Sequence, residues 1–144
     1  MIVSQILKSK KDVGVISVKP TDSVSDAVRV LSQKRIGTVV VSADGASLDG
    51  ILSERDIVRE MGKRGTGCLE DPVSTFMTSK LCTCSSSDTA LDVLEMMTNG
   101  RFRHLPVMDG QKMVGLISIG DAVKSRLAEL AMEKDALEGM IMGH

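Results

Sequence analysis

The chain writes one phrase twice. Gly50-Ile-Leu-Ser-Glu-Arg-Asp56 and Gly115-Leu-Ile-Ser-Ile-Gly-Asp121 each read glycine, two apolar residues, serine, two variable residues and aspartate, followed by an apolar pattern of helical spacing. The agreement extends backwards, because Val18–Asp26 lies against Cys84–Asp92 and Val3–Leu7 echoes Val73–Met77. Asp22 and Asp88 are 66 positions apart and Gly50 and Gly115 are 65 apart, so the first copy carries one extra residue in the intervening loop. The first copy also has the longer connection after its opening echo, KSKKDVG. Internal repetition of this period requires two copies of one supersecondary unit, each burying apolar surface it cannot bury alone. The expected division is residues 1–67 for the first repeat, 68–128 for the second and 129–144 for a helical extension.

Each copy carries the same punctuation. Ser23–Asp26 and Thr89–Asp92 both read as capping boxes, in which a hydroxyl accepts from an early helical N–H and the acidic residue reaches back. Val24, Ala27, Val28 and Leu31 then follow at helical spacing, as do Ala90, Val93, Leu94 and Met97. Gly100 reads as a left-handed stop for the second of these helices, whereas its counterpart Lys34 does not. Short apolar runs follow, Thr38–Val41 and His104–Met108, and loops with Asp44-Gly45 or Asp109-Gly110 lead to further runs, Gly50–Leu52 and Val114–Ile117. The expected order in each copy is strand, helix, strand, strand, helix. Gly62, Gly65 and Gly67 cut the last helix of the first copy short. That of the second continues through Val123, Leu127, Leu130, Ala131 and Leu137. Met96, Met97, Met108 and Met113 read as core filler.

Composition narrows the function. The 18 Lys plus Arg balance 19 Asp plus Glu, which leaves no electrostatic footprint for nucleic acid or an anionic membrane. No Trp, no Tyr and two Phe leave few platforms for stacking single-stranded bases. Cys68, Cys82 and Cys84 are odd in number, and Cys82 and Cys84 are expected on one side of a strand; they read as reduced thiols of a cytoplasmic protein. With two histidines they offer no metal-ligand spacing, so no metal is expected. No apolar run reaches the ~20 residues that span a bilayer, and MIVSQILKSKKD lacks the long apolar stretch of a secretory signal.

Taken singly, Ser53–Asp56 and Ser118–Asp121 are further capping boxes. Their recurrence at one place in both copies, directly after a strand and behind a glycine that permits close backbone approach, points further. A strand feeding a helix N-terminus presents free N–H groups that suit phosphate, and a carboxylate beside them can accept from the vicinal hydroxyls of a ribose.

With these endings, "sVsDAVrvLsqkrIGtvvV" and "aLDVLeMMtngRfRHLPVmdg", the chain resembles a tandem pair of CBS domains from about Val3 to about Leu127. The resemblance implies a mixed α/β fold: two βαββα repeats packed through their sheets about a pseudo-twofold axis, leaving two clefts. It implies an adenosine ligand there, AMP first, with ADP, ATP, NAD(H) or S-adenosylmethionine as alternatives. It gives Asp56 and Asp121 the ribose hydroxyls, and Ser53 and Ser118 ribose or phosphate. It lays the base against Ile16, Ser17, Thr38 and Val39 in one cleft and Cys82, Thr83, His104, Leu105 and Pro106 in the other. Candidate phosphate cations are Lys19, Arg55, Arg101 and Arg103, each of which also reads as a solvated surface charge. Arg55 stands in a first helical turn, where a cation opposes the helix dipole; its counterpart Gly120 is uncharged, so the two clefts are expected to differ. His104 reads as a structural histidine or a ligand contact, not a catalyst.

The resemblance implies a regulatory module, not an enzyme, that reports nucleotide occupancy to a separate effector protein. An empty interaction scaffold is one alternative, and a hydrolase drawing on Ser118, His104 and Asp121 is a remote one. A homodimer is expected, stabilised in part by the chain after Leu127, where Met132, Met140 and Met142 accompany a helix with no repeat partner.

Overall fold

The computed structural model describes residues 1–10 and 15–142 of the 144-residue chain. Residues 11–14 of the long connection, and His144, lie outside the described residues. The element order is α1 (Val3–Ser9), β1 (Ser17–Val18), α2 (Val24–Lys34), β2 (Thr38–Val41), β3 (Gly50–Ser53), α3 (Glu54–Arg64), a 3-10 turn over Thr66–Glu70, α4 (Val73–Phe76), β4 (Cys84–Ser85), α5 (Ala90–Gly100), β5 (His104–Asp109), β6 (Lys112–Ser118) and α6 (Ile119–Ile141). Two three-stranded sheets result, ordered β1-β2-β3 and β4-β5-β6, so the mixed α/β class and the strand-helix-strand-strand-helix order both hold.

In the first sheet β1 runs parallel to β2 and β2 antiparallel to β3, with Thr38 opposite Ser53 and Val41 opposite Gly50. All four residues of β2 are buried, as a central strand covered on both faces requires. Val18, Leu31, Val39, Leu52 and Ile57 form that core together with Val73 and Phe76 of α4. The second core gathers Cys84, Val93, Met97, Leu105 and Ile117 with Val3 and Ile6 of α1. Met97 and Met113 are buried and Met96 and Met108 half-buried, in keeping with a filling role.

The opening echoes are therefore exchanged. In α1, Val3 N donates to Asp88 O at 2.8 Å and Ser4 N to Ser86 O at 3.0 Å, while Ala90 N donates to Met1 O. In α4, Val73 N donates to Asp22 O at 2.7 Å and Ser74 N to Pro20 O at 3.1 Å, while Val24 N donates to Asp71 O. The same hydrogen bonds form twice, each time between the echo of one copy and the cap of the other. The compact units follow this exchange rather than a cut at residue 67. One holds α1, Cys82–Asp109 and the chain from Val114; the other holds the chain from β1 to Leu81 with Gly110–Met113.

The exchange explains the glycines of the repeated phrase. A Cβ on Gly50 would stand 2.7 Å from Met77 Sδ and 2.9 Å from the Thr78 carbonyl, just past α4. A Cβ on Gly115 would stand 2.8 Å from both methyls of Leu7 in α1.

Several local expectations are corrected. Gly100 is the last residue of α5, not its left-handed stop, and a Cβ there would run into the Phe102 ring. The left-handed residues are Arg101, at φ 58°, and Arg35 after α2, at φ 55°. Gly62 lies inside α3 and Gly67 in the 3-10 turn, so Gly65, with φ 76°, alone ends the helix. Ser23 caps α2 through Asp26 N, but the Asp26 carboxylate is paired with Arg29 at 3.1 Å; the reciprocal box forms at Thr89–Asp92. Strand β4 begins at Cys84, which is buried, whereas Cys82 precedes it and is exposed, so the two do not share a strand face. Burial, and next Asp88, push the Cys84 thiol up to about 11, which keeps it protonated and inert.

Gly50→Ala is expected to cost about 1–3 kcal/mol in denaturant titration, because the obstructing Thr78 oxygen is backbone and cannot step aside. Gly115→Ala costs less, and pairing it with Leu7→Ala gives a loss smaller than the sum of the two single losses. Arg35→Gly, at an exposed left-handed position, raises stability by about 0.5–1 kcal/mol, read as a midpoint higher by about 2 °C.

Candidate functional site

Each repeated phrase folds as the turn from a strand into a helix, β3 into α3 and β6 into α6, with its serine as N-cap. Both are complete capping boxes. Ser53 N donates to Asp56 Oδ2 at 3.0 Å and Asp56 N to Ser53 Oγ at 3.3 Å; Ser118 N donates to Asp121 Oδ2 at 2.9 Å and Asp121 N to Ser118 Oγ at 3.1 Å. Glu54 N and Ile119 N, the first helical amides, are taken by the carbonyls of Gly37 and Arg103. The capping role is thus fulfilled in both copies, and ligand chemistry has to use what capping leaves over.

What is left over differs. Asp56 is buried; Ser53 Oγ also donates to its Oδ2, and its Oδ1 takes Arg59 Nη2 at 3.0 Å. Asp121 is half-buried, and its Oδ2 takes the Lys10 ammonium at 2.9 Å, which also donates to Leu116 O at 3.1 Å. Among the described residues no partner falls on Asp121 Oδ1. A carboxylate offers about four lone-pair sites, so this side chain keeps one oxygen for a ligand where both oxygens of Asp56 already accept. Burial alone would raise the Asp121 pKa, but the Ser118 N–H and Lys10 outweigh it and hold the carboxyl below its usual range.

The other expected residues divide between the units. In the unit that holds Asp56 lie Ile16 and Ser17 at β1, buried Thr38 and Val39 on β2, and exposed Lys19 and Arg55. The Glu54 carboxylate lies over Gly37 in the same first turn as Arg55 and offsets its charge. In the unit that holds Asp121 lie exposed Cys82 and Thr83 before β4, His104, Leu105 and Pro106 on β5, and exposed Arg101 and Arg103. Burial holds the His104 pKa below its ordinary value against the opposing pull of Asp121, with Lys10 and Arg103 adding to the depression, so at neutral pH it is an uncharged donor and acceptor. Val39 and Leu105 point into the cores and offer a ligand only backbone.

Backbone is where the copies part again. Val40 N donates to the Ile16 carbonyl at 3.2 Å, and Ser17 pairs with Val40. At the equivalent place stands Pro106, which has no N–H. The second ladder starts one residue later, at Cys84 opposite Val107, and Pro106 cannot donate to the Cys82 carbonyl. Sequence reasoning missed Lys10, which lies 111 residues from Asp121. A signal existed, since the opening echo runs on to Ser9-Lys10 and Ser79-Lys80. Lys80 itself is exposed. Among the described residues no group of three His, Cys, Asp or Glu could hold a metal ion, and no helix is long and apolar enough to cross a membrane.

Comparison with known proteins agrees with this architecture. The mitochondrial CBS domain-containing protein CBSX3 of Arabidopsis thaliana is 33% identical over 148 residues, spanning 98% of this chain and 72% of the relative. The crystal structure of a CBS-domain containing protein from Agrobacterium tumefaciens superposes with a TM-score of 0.80 at 37% identity, covering 88% of this chain and 99% of that one. CBSX2, solved in complex with AMP, gives a TM-score of 0.72 at 26% identity, covering 88% and 96%. The family model of the CBS domain matches twice, over residues 3–63 and 73–128, and the chain belongs to the CBS domain family as a tandem pair.

Proposed function

We propose that the chain is a regulatory module that binds an adenine nucleotide, AMP first, and reports occupancy to a separate effector protein rather than catalysing a reaction. The observation that carries the reading is the Ser118–Asp121 turn, where a carboxylate anchored through Oδ2 keeps Oδ1 for a ribose diol. Lys10 and Arg103 supply cations for a 5′-phosphate, and the Cys82 carbonyl, relieved of its ladder bond by Pro106, supplies an acceptor for an adenine amino group. The AMP complex of CBSX2 supports this ligand class. Three free cysteines fit a reducing compartment such as the cytoplasm.

The two seats are not equivalent in this reading, and the preference runs against Arg55. Asp56 has both oxygens committed, and the Glu54 carboxylate in the same first turn repels a phosphate. The seat at Asp121 fills first; that at Asp56 serves chiefly as a cap. Signalling requires that the nucleotide bind one arrangement of the module better than another, since a ligand shifts an equilibrium only by its differential affinity.

A thermal-shift panel of AMP, ADP, ATP, NADH and S-adenosylmethionine tests the reading. Ligand at about 100 times its dissociation constant adds about 2.7 kcal/mol, a midpoint rise on the order of 5–10 °C for a chain of this length. AMP is expected to give that rise and to be recovered unchanged; release of product would instead favour a hydrolase, and no shift with any ligand would leave an empty scaffold. Asp121→Ala lowers the unliganded stability by about 1 kcal/mol through loss of the reciprocal half of the capping box, Ser118 remaining as N-cap, and abolishes the AMP-induced rise, whereas Asp56→Ala keeps it. The reverse order would sink the preference for the second seat. Lys10→Gln is expected to weaken AMP about tenfold in calorimetric titration while leaving adenosine within twofold, because of the parts of AMP only the phosphate meets that charge, and glutamine still offers Asp121 a hydrogen-bond donor.

A further inference from the structure

The two exchanged helices are tied down differently where they end. Past α4 the chain is zipped by backbone to the edge of the first sheet: Ile51 N donates to the Thr78 carbonyl at 2.9 Å and Thr78 N to the Ile51 carbonyl at 2.8 Å, a bridge onto β3. The repeat offsets lay Lys8 against Thr78 and Leu116 against Ile51. Among the described residues no backbone bond joins Lys8 to Leu116. The Leu116 carbonyl instead accepts a side chain, the Lys10 ammonium at 3.1 Å, which also donates to Asp121 Oδ2 at 2.9 Å. A backbone bridge belongs to the fold whether or not a ligand is present. A lysine tie does not, because the ammonium stands part-exposed on a flexible stem and can be claimed by a stronger anion.

Little else holds the last turn of α1. The helix is seven residues long, too short to persist by its own hydrogen bonds. Its start is anchored at Met1, whose carbonyl takes Ala90 N at 3.0 Å and whose Sδ takes Ser125 Oγ at 3.2 Å, and Val3 and Ile6 are buried. Beyond Ile6 the packing thins. Leu7 is half-buried against Gly115, Lys8 and Ser9 are exposed, and the Ser9 hydroxyl makes only a local bond, to the Ile6 carbonyl. One end of α1 is therefore fixed, and the other hangs on a cation that also faces the Asp121 carboxylate.

We propose that Lys10 is a release catch for α1: when a nucleotide fills the Asp121 seat, its phosphate draws the ammonium from Leu116 and Asp121, and the stretch from Leu7 to Lys10 loosens. This rests on the nucleotide reading of the seat, to which it adds an output, a segment whose order depends on occupancy. Near neutral pH a phosphate monoester carries more charge than one carboxylate, so it outcompetes Asp121 for the ammonium. Ribose hydroxyls take up the acceptor capacity left on Asp121, and the Leu116 carbonyl, on an edge strand, turns to water. Adenosine brings no phosphate and leaves the catch shut. In the first copy the Thr78 bridge keeps the chain beyond α4 fixed whatever happens at Asp56.

Amide hydrogen exchange of the whole chain, read by mass spectrometry over Leu7–Lys10, tests the catch with AMP and with adenosine, each at a concentration that calorimetry shows to be saturating. Exchange over this stretch is expected to rise on the order of fivefold with AMP, the net loss of about one hydrogen bond, and to stay within twofold with adenosine. Lys10→Met keeps the stem and removes the donors; it exchanges fast without ligand, and AMP adds nothing further. Exchange over α5 is the same in all of these samples, which shows that the fold is intact. Unchanged or slower exchange in the AMP complex, an equal rise with adenosine, or a Lys10→Met protein that exchanges like the wild type would each overturn the proposal and leave the seat standing. A wild type that does not bind AMP in calorimetry overturns the nucleotide reading and the release together.

Discussion

The fold depends on two short backbone exchanges. Ile2 bridges to Thr89 and Pro72 to Ser23, and each bridge ties the short helix that opens one copy to the cap of the other copy. Neither α1, seven residues long, nor α4, four residues long, could persist alone, because helix nucleation costs more than so few hydrogen bonds return. Val3, Ile6, Val73 and Phe76 make them worth forming by completing the opposite cores. Neither compact unit is therefore a continuous piece of chain, and Gly50 and Gly115 are bare of a side chain so that the exchanged helix can leave past them.

This relation also separates what the sequence could tell from what it could not. Repeat offsets, strand positions and three of the four capping boxes were legible, because they rest on residues within a few positions of each other. The exchange was not, since Val3–Leu7 and Val73–Met77 read as one element of each copy and nothing local says whose cap they meet. Gly100 misled for a related reason. Glycine favours a left-handed stop, but its place beside Phe102 is set by a ring that needs the space, and Arg101 accepts the left-handed conformation instead. At the site, Ser53, Asp56, Ser118 and Asp121 were legible as a pair of turns. Their partners Arg59 and Lys10 were not, and those partners are what make the turns unequal.

Duplication supplies two copies of a backbone, and small substitutions give them different chemistry. Arg59 sits one helical turn from Asp56 and neutralises it from its own helix, at 3.0 Å. Its counterpart Lys124 is exposed, and the cation at Asp121 comes instead from the end of α1. A cation on a separate segment can turn toward a phosphate without disturbing the helix it serves, whereas Arg59 cannot leave Asp56 without uncovering a buried carboxylate. Pro106 acts in the same direction on the backbone, removing a donor that Val40 provides in the first copy. The asymmetry thus lies less in the repeated phrase than in what surrounds it.

Ser118 and Asp121 cap the N-terminus of α6, which at about 1.5 Å per residue is roughly 34 Å long. A helix of this length moves as a rod unless a proline or bulge interrupts it, and α6 contains no proline. A nucleotide at Asp121 would then act on one end of a rigid body whose other end, from Leu130 to Ile141, is exposed at every residue but Gly139. If closing the seat on its ligand tilts α6, the tilt reaches that exposed end, and the affinity of a partner held there and that of the nucleotide become linked. Linkage of this kind is reciprocal: whatever factor the nucleotide adds to partner affinity, the partner adds to nucleotide affinity. That reciprocity gives the module a physical means of converting occupancy into a change that a separate partner can read.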